Sequence, residues 1–239
     1  MAWRLSLMAV QARAKGAVKP VLFADEHRLR TVRFGPGRGV RAHLNRRHDL
    51  QREFGFYESE LSRAYRRLIA PDAIVYDIGA DDGLTTLIYA QLAPLGHVYA
   101  FEPQGRGLAA IERNLEANPA LASRVTVVPA AVGGGASSTS VDMFASNERP
   151  PGFVKIDVDG SELEVLEGMS ETLRTSEPAL IVEVHSRELE RRCVALLRDA
   201  DYAPFVRANA WWRSLYPEMR PIEHNRWLIA QPVRERSGA

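Results

Sequence analysis

One stretch of sequence decides the fold: residues 74–86 are Ile-Val-Tyr-Asp-Ile-Gly-Ala-Asp-Asp-Gly-Leu-Thr-Thr. Its first five residues are predominantly apolar, which predicts a short buried strand. Gly79 and Gly83 then form a Gly-x-x-x-Gly turn, in which glycine permits a tight bend and a close backbone approach. The residues after Gly83 predict a helix. A strand, a glycine turn and a helix in this order are typical of nucleotide-binding α/β folds.

The charge around this turn restricts the kind of ligand. Asp77, Asp81 and Asp82 surround it, and the G-x-G-x-x-G pattern that holds a pyrophosphate at a helix N-terminus is absent. Because carboxylates would repel a pyrophosphate, the preferred ligand should carry an amine or a sulfonium. S-adenosylmethionine carries both. The turn therefore weighs against a dinucleotide-dependent oxidoreductase, which stays an alternative beside a non-catalytic nucleotide-binding module.

Strands and helices alternate along the chain after residue 71. Alternation of this kind predicts right-handed βαβ crossovers and a mostly parallel sheet with helices on both faces, an α/β fold. No helix is predicted between the last two strands, which should pair as an antiparallel hairpin. The predicted strands are 74–78, 97–101, 125–128, 153–158, 179–184, 202–207 and 226–230, and the predicted helices are 84–92, 107–117, 161–173 and 188–200.

The N-terminal part has a different pattern. Short alternating runs at 18–23, 29–34 and 39–44 predict β-hairpins, and little helix is expected before residue 52. A helix is predicted at 58–70, where Pro71 ends it. We therefore predict an N-terminal extension, residues 1–70, and a cofactor-binding domain, residues 71–239. A Gly- and Ser-rich stretch at 133–140 is expected to be an exposed loop.

Composition excludes several classes of protein. The chain has 239 residues, 46% of them hydrophobic, which suits one large domain and argues against disorder. A single cysteine, Cys193, excludes a disulfide framework and a multi-cysteine zinc site. No apolar run reaches the roughly 18–20 residues of a membrane span, and residues 1–10 lack a clear signal-peptide core. A cytoplasmic protein without an integral membrane segment is expected.

The near-neutral net charge conceals an asymmetry. Residues 1–70 hold 15 Lys or Arg and 6 Asp or Glu, whereas residues 71–239 hold 16 and 24. A basic arm before an acidic body can bind nucleic acid, an anionic membrane surface or an acidic substrate, or can simply attract the acidic part. Its basic residues are scattered, and the N/D-P-P-Y/F-like motif of nucleic-acid methyltransferases is absent. We expect a lid or a docking element, and no nucleic-acid partner.

Polar residues follow three of the predicted parallel strands. Glu102 ends the second strand, where an acidic side chain can accept both ribose hydroxyls or act only as a charge at a helix N-terminus. Asp157 and Asp159 follow the fourth strand, and Glu183 and His185 end the fifth. Ligands bind at the carboxyl edge of such sheets. The last four of these residues, from Asp157 to His185, are predicted to converge there as a general base, a metal site or a structural network.

These segments together resemble the FkbM-type methyltransferase family over roughly residues 55–190. The fourth-strand segment is the most specific of them, whereas the first-strand segment alone indicates only the class I fold. The matching segments are Gly55-Phe56-Tyr57-Glu58, Val75-Tyr76-Asp77-Ile78-Gly79-Ala80 with Gly83 and Thr86, Ala100-Phe101-Glu102-Pro103, Ala131-Val132-Gly133, and residues 153–168 from Phe153 through Asp157-Val158-Asp159-Gly160 to Gly168.

The resemblance implies a class I (Rossmann-like) sheet of seven strands, S-adenosylmethionine as methyl donor, and usually O-methylation of a sugar or natural-product hydroxyl. The family often has Asn where Asp81 stands here. Glu102 would hold the ribose, and Asp157 would lie near the sulfonium. The implied cofactor residues are Asp77, Gly79, Ala80, Gly83 and Thr85 around the turn, Glu102 and Pro103 after the second strand, Ala131 and Val132 beside the adenine, and Asp157.

An alcohol acceptor must lose a proton during methyl transfer, and His185, with an ordinary pKa of about 6.5, is the best-suited base. Asp157 and Glu183 are alternatives. Mg²⁺ held by Asp157, Asp159 and Glu183 ranks below His185, because Lys155 would oppose a cation, and no metal is expected.

The acceptor, a small molecule or a glycan, is expected to contact residues outside the sheet. The aromatic segment between the last two strands is too long for a simple turn. A homo-oligomer is compatible with the sequence. The candidate acceptor residues are Tyr57, Glu58, Asp159, Trp211, Trp212 and His224.

Overall fold

The computed structural model describes residues 25–133, 138–208 and 225–233. The expected strand at 18–23 and three candidate acceptor residues, Trp211, Trp212 and His224, lie outside these ranges. None of the helices in the described ranges is both long enough and apolar enough to cross a membrane.

The described part of the N-terminal extension contains an antiparallel hairpin, as predicted, formed by β1 (His27–Thr31) and β2 (Arg41–Asn45). Helix α1 (Arg46–Glu53) follows directly, contrary to the expectation of little helix before residue 52. It has no apolar periodicity; instead, the Asn45 side chain caps its N-terminus by accepting a hydrogen bond from Arg47 N. A 3-10 turn (Ser59–Leu61) and helix α2 (Ser62–Leu68) occupy the helix predicted at 58–70.

The rest of the chain alternates between strands and helices, as predicted. In chain order, the elements are β3 (Ile74–Ile78), α3 (Leu84–Leu92), β4 (His97–Phe101), α4 (Gly105–Glu116), α5 (Pro119–Ala122), β5 (Val125–Val128), β6 (Ala131–Val132), β7 (Ser138–Thr139), α6 (Val141–Asn147), β8 (Phe153–Ile156), α7 (Glu162–Glu167), α8 (Ser170–Thr175), β9 (Ala179–Val184), α9 (Arg187–Asp199), β10 (Tyr202–Ala208) and β11 (Arg226–Pro232).

These strands form the expected seven-stranded sheet, in the order β10-β11-β9-β8-β3-β4-β5. The pairs β9–β8, β8–β3, β3–β4 and β4–β5 are parallel, whereas β11 is antiparallel to both β9 and β10. The antiparallel last hairpin is therefore confirmed. The carboxyl ends of β3, β4, β8 and β9 meet at one edge, which is the edge where polar residues follow the strands.

The helix predicted at 161–173 is two helices, α7 and α8. Gly168 ends α7, and the backbone N–H groups of Glu171 and Thr172 then donate to the Asp142 carboxylate at 3.0 and 2.7 Å. This cap starts a new helix. Asp142 lies far away in the sequence, so the apolar spacing alone predicted a single helix. Part of the loop expected at 133–140 also pairs, since β7 is parallel to β6.

The two faces of the sheet are buried in separate apolar clusters. Tyr76 and Val75 lie next to each other in β3 and therefore face opposite clusters, as the two-residue period of a strand requires. A third cluster joins the hairpin to α3, the helix that leaves the glycine turn. It contains Val32, Val40, Ala42 and Leu44 from the hairpin region and Leu84 and Leu87 from α3.

Two asparagines of the domain fasten the hairpin. Asn118 Oδ1 accepts from Arg41 N at 2.9 Å and Asn114 Oδ1 accepts from His43 N at 2.8 Å, so both satisfy backbone groups of β2. The Asn114 side chain also donates to Asp82 O at 2.8 Å. The extension is thus connected to the turn that follows β3 by hydrogen bonds as well as by apolar contacts.

Candidate functional site

The glycine turn packs against the end of β8. Gly79 and Gly83 have φ values of +85° and +78°, a region that L side chains rarely adopt. A Cβ on Gly79 would lie 1.8 Å from the Asp157 carbonyl oxygen. The N–H groups of Gly79 and Ala80 both donate to Phe101 O at 3.0 Å. The turn, the end of β8 and the end of β4 therefore form one connected edge.

Asp77 is the last polar residue before this turn, and it is fully buried. Its Oδ2 accepts hydrogen bonds from the hydroxyls of Thr86 at 2.6 Å and Thr85 at 3.3 Å. Its Oδ1 is buried without a hydrogen-bond partner among the described residues. Burial raises the pKa of Asp77 to about 6, although the Lys155 charge opposes the shift. An orphaned carboxylate oxygen here suits a cationic donor such as an amine.

Glu102 lies after β4 and contacts the turn. Its Oε2 accepts from Asp81 N at 3.0 Å, and its Oε1 accepts from Gln104 N at 2.8 Å. The second bond is the helix-terminal contact considered as the alternative role for Glu102. A Cβ on Gly107 would come within 2.7 Å of this side chain, so glycine makes room for it. Pro103 is exposed beside it.

Arg52 connects the N-terminal extension to the turn, a contact that the sequence did not reveal. Its Nη2 lies 2.6 Å from Asp82 Oδ1, and its guanidinium lies 5.3 Å from the centre of the Tyr57 ring. The charge of Asp82 is therefore balanced within the protein. Opposite charges 30 residues apart carry no local pattern, so only the fold brings them together.

A buried network of charges surrounds Lys155. The Lys155 ammonium lies 2.9 Å from Asp157 Oδ2, as their shared side of the strand predicted. Burial opposes its charge, but Asp157, Glu58 and Asp77 raise the pKa of Lys155 well above its usual value. Lys155 in turn holds the pKa of Asp157 low against the effect of burial. Burial and the neighbouring Asp157 raise the pKa of Glu183. Of these two carboxyl groups, Glu183 is therefore the one that keeps its proton to higher pH.

His185 is oriented by Glu162, a residue to which the sequence assigned no role. His185 Nδ1 lies 2.6 Å from Glu162 Oε1, and Glu162 is fully buried. Because a carboxylate only accepts, the neutral imidazole carries its proton on Nδ1 and keeps the lone pair on Nε2. Nε2 lies 3.8 Å from Asp157 Oδ1 and 3.5 Å from Asp159 Oδ1. Burial lowers the pKa of His185, but these three carboxylates raise it overall.

The predicted convergence at the carboxyl edge is observed. Asp157, Glu183 and His185 each offer an atom, and these atoms all lie within 4.8 Å of one another. Such a group has the composition of a metal site. However, the Lys155 ammonium occupies Asp157 Oδ2, and its charge opposes a cation there. A cation would therefore have to compete with Lys155 for Asp157.

The remaining described candidates are more dispersed. Tyr57 is half-buried, and burial raises the pKa of its hydroxyl with help from the charges of Glu58 and Asp157, so it lies near the site. Glu58 is buried and accepts a hydrogen bond from the Tyr65 hydroxyl at 2.5 Å. Its charge helps to raise the pKa of Lys155 and of Glu183. Ala131 and Val132 form β6, and Val132 belongs to the main core.

Comparison with known proteins agrees with this architecture. The family model of the methyltransferase FkbM domain matches residues 135–225, which include the segment with Asp157, Glu162 and His185. The crystal structure of methyltransferase FkbM from Methylobacillus flagellatus superimposes with a TM-score of 0.52 at 19% identity, over 73% of this chain and 51% of that one. The chain is therefore similar to FkbM-type methyltransferases, and the family model places this similarity at residues 135–225. The resemblance inferred from the sequence is confirmed.

Two further relatives match this chain to different extents. It is 27% identical over 173 residues to the hexuronic acid methyltransferase AglP of Haloferax volcanii, covering 60% of this chain and 69% of AglP. It is 44% identical over 69 residues to the AMB antimetabolite synthetase AmbE of Pseudomonas aeruginosa, and the match spans only 3% of that protein.

A further solved structure has a similar fold. An S-adenosylmethionine-dependent O-methyltransferase from Thermotoga maritima superimposes with a TM-score of 0.51 at 16% identity, over 76% of this chain and 67% of that one. At this level of identity, the similarity establishes the class I methyltransferase fold.

Proposed function

We propose that this protein transfers the methyl group of S-adenosylmethionine to a hydroxyl of a sugar or a natural product. The observation that carries the proposal is the position of His185: Nδ1 is anchored on buried Glu162, and Nε2 faces the carboxyl edge beside Asp157. A histidine held in this way has one nitrogen available to accept a proton. The edge also contains the turn residues that suit the cofactor.

The residues of the turn fit S-adenosylmethionine. Asp77 Oδ1 is buried without a partner among the described residues, which suits the amine of the methionine moiety. The Gly79 backbone leaves no room for a Cβ against Asp157, which brings the turn close to the end of β8. Glu102 is the residue proposed to hold the ribose hydroxyls. When bound, the cofactor supplies an electrophilic methyl group on a sulfonium.

His185 is proposed as the general base. Nε2 accepts the proton of the acceptor hydroxyl as the oxygen attacks, a contribution typically worth about 10²–10⁴-fold in rate. Glu162 acts through His185 as a positioning residue, because it fixes the tautomer and stabilises the imidazolium that forms. Asp157, kept ionised by Lys155, adds a negative charge next to that imidazolium.

Two relatives support, respectively, a sugar-acid acceptor and methyl transfer to oxygen. AglP is named a hexuronic acid methyltransferase, and the Thermotoga maritima protein is named an O-methyltransferase. A hydroxyl acceptor also agrees with the need for a base, since an alcohol does not lose its proton unaided at neutral pH. We propose Tyr57 and Asp159 as acceptor contacts, because Tyr57 lies near Asp157 and Asp159 is exposed beside His185.

The test separates cofactor binding from turnover. Calorimetric titration should detect S-adenosylmethionine binding, and methyl transfer should be assayed on a panel of hexuronic acids and hydroxylated natural products. His185→Ala should keep the cofactor affinity within about threefold, below roughly 1 kcal/mol, and lower turnover by about 10²-fold or more. The control is His97→Ala, since His97 bonds Thr126 away from the site.

The outcomes discriminate among the alternatives. Cofactor binding without transfer to any acceptor would favour a non-catalytic binding module, and NAD binding in place of S-adenosylmethionine would favour an oxidoreductase. Full activity of His185→Ala across the pH range would exclude His185 as the base. Turnover should be unchanged by EDTA; loss on chelation and recovery with Mg²⁺ would instead assign a metal role to Asp157, Glu183 and His185.

A further inference from the structure

The N-terminal hairpin carries a cavity that the proposed methyl transfer does not use. It has a volume of about 580 Å³, within the usual range of small-molecule sites. It is lined by strand β1, by the segment that connects β1 to β2, and by helix α1. Its charged lining residues, which we call the arginine pocket, are Arg30, Arg33, Arg38, Arg46 and Glu53.

A single buried carboxylate organises the arginines. Glu53 is 2% exposed and binds the Arg46 guanidinium through two hydrogen bonds of 2.7 and 2.8 Å. Arg33 lies 3.6 Å and Arg30 4.0 Å from the same carboxylate. Arg46 first, and then Arg30 and Arg33, hold the pKa of Glu53 below its usual value against burial. The carboxylate therefore fixes the guanidinium groups in position.

The pocket keeps a large excess of positive charge. Four arginines and one carboxylate line it, and Arg38 has no ion-pair partner among residues 25–133, 138–208 and 225–233. Guanidinium groups repel each other at such distances unless an anion lies between them.

We propose that the arginine pocket binds the phosphate groups of a small ligand with at least two negative charges. The planar guanidinium fork matches the geometry of phosphate oxygens, and Arg46, already held on Glu53, pre-organises one side. The cavity is confined to the hairpin region and α1, which suits a compact phosphate ligand, whereas a nucleic-acid strand would need a basic surface that continues beyond these elements. The ligand is either a free phosphate compound or the diphosphate part of a nucleoside diphosphate.

Calorimetric titration of the full chain with pyrophosphate tests the proposal, with inorganic phosphate and uridine diphosphate as parallel arms. Pyrophosphate should bind, and the double variant Arg33→Gln/Arg38→Gln should weaken its binding by about tenfold or more. These two arginines leave the Arg46–Glu53 pair intact, so folding is preserved. Arg66→Gln/Arg67→Gln is the matched control, since these two arginines are exposed on α2 and do not line the cavity. It should change the affinity less than twofold.

The arms distinguish the source of the phosphate. Equal affinity for pyrophosphate and uridine diphosphate supports a free phosphate compound, and tighter binding of uridine diphosphate supports a nucleotide. Affinity should fall as NaCl rises from about 0.05 to 0.3 M. The proposal is overturned by the absence of binding at millimolar pyrophosphate, by equal weakening in the control, or by an oligonucleotide that binds far more tightly than any of the three ligands.

Discussion

The carboxyl group of Asp77 allows a direct test of how burial beside the glycine turn changes stability with pH. Burial raises its pKa from 3.8 to about 6. A carboxyl with a higher pKa in the folded than in the unfolded state takes up a proton on folding. Its contribution to stability is therefore greatest at low pH and is lost as the pH rises from 3.8 through 6. Asp77→Asn removes this titration and preserves the shape of the side chain.

The magnitude follows from the two pKa values. Linkage gives a cost to the folded state of about 1.6 kcal/mol at pH 5 and about 3 kcal/mol at pH 8 for Asp77. The stability of Asp77→Asn relative to the wild type should therefore increase by about 1.4 kcal/mol between pH 5 and pH 8. Any change in the hydrogen bonds with Thr85 and Thr86 alters the free energy of unfolding equally at pH 5 and pH 8, so it cancels in this difference.

Urea unfolding at the two pH values measures the stability difference, and calorimetry at pH 8 measures the affinity for S-adenosylmethionine. Asp77→Asn should weaken cofactor binding by about tenfold or more, because a charge-assisted hydrogen bond is worth about 1.5–3 kcal/mol. Asp72→Asn, at an exposed position before β3, is the control. A stability difference that does not grow with pH would refute the argument from burial, and unchanged affinity would refute the amine contact.

Three further predictions concern residues around the turn. Glu162→Gln should lower the pKa of His185 and so move the acidic limb of the pH–rate profile to lower pH; a profile that stays in place would contradict the positioning role. Gly79→Ala should lose at least ~2 kcal/mol in urea unfolding, given its φ and the clash with the Asp157 carbonyl, and a wild-type midpoint would contradict this. A double-mutant cycle of Arg52→Met and Asp82→Asn should give a coupling energy of about 1 kcal/mol or more, whereas additive effects would mean that the pair does not stabilise the contact.

The sheet and its edge were predictable because their signals are local. Apolar runs bounded by glycine and proline identified the parallel strands, and the polar residues that follow β8 and β9 fell on the same edge by topology alone. Asp157, Glu183 and His185 were brought together for this reason. The proximity of Lys155 to Asp157 followed from the two-residue period of a strand.

Other features depend on contacts distant in sequence. Helix α1 has no apolar stripe and is stabilised by the Asn45 cap and the Arg46–Glu53 pair. The helix predicted at 161–173 is divided in two by a cap from Asp142, which belongs to a different helix, α6. Glu162 could have been suspected, since it stands in the first turn of the helix that follows β8, where side chains approach the strand ends. Its partner His185 lies 23 residues later, and only the fold shows the hydrogen bond.

The hairpin of the N-terminal extension rests on the same helix that leaves the glycine turn. Leu84 and Leu87 of α3 bury its apolar residues, while Arg52 and Asn114 hold Asp82 from two sides. Opening of the hairpin therefore withdraws support from the turn, and by thermodynamic reciprocity a ligand on the turn must oppose that opening. Backbone amides of β1 and β2 should then exchange with deuterium more slowly when the cofactor is bound. Their exchange rate would measure cofactor binding at the turn, although the hairpin itself does not contact the cofactor.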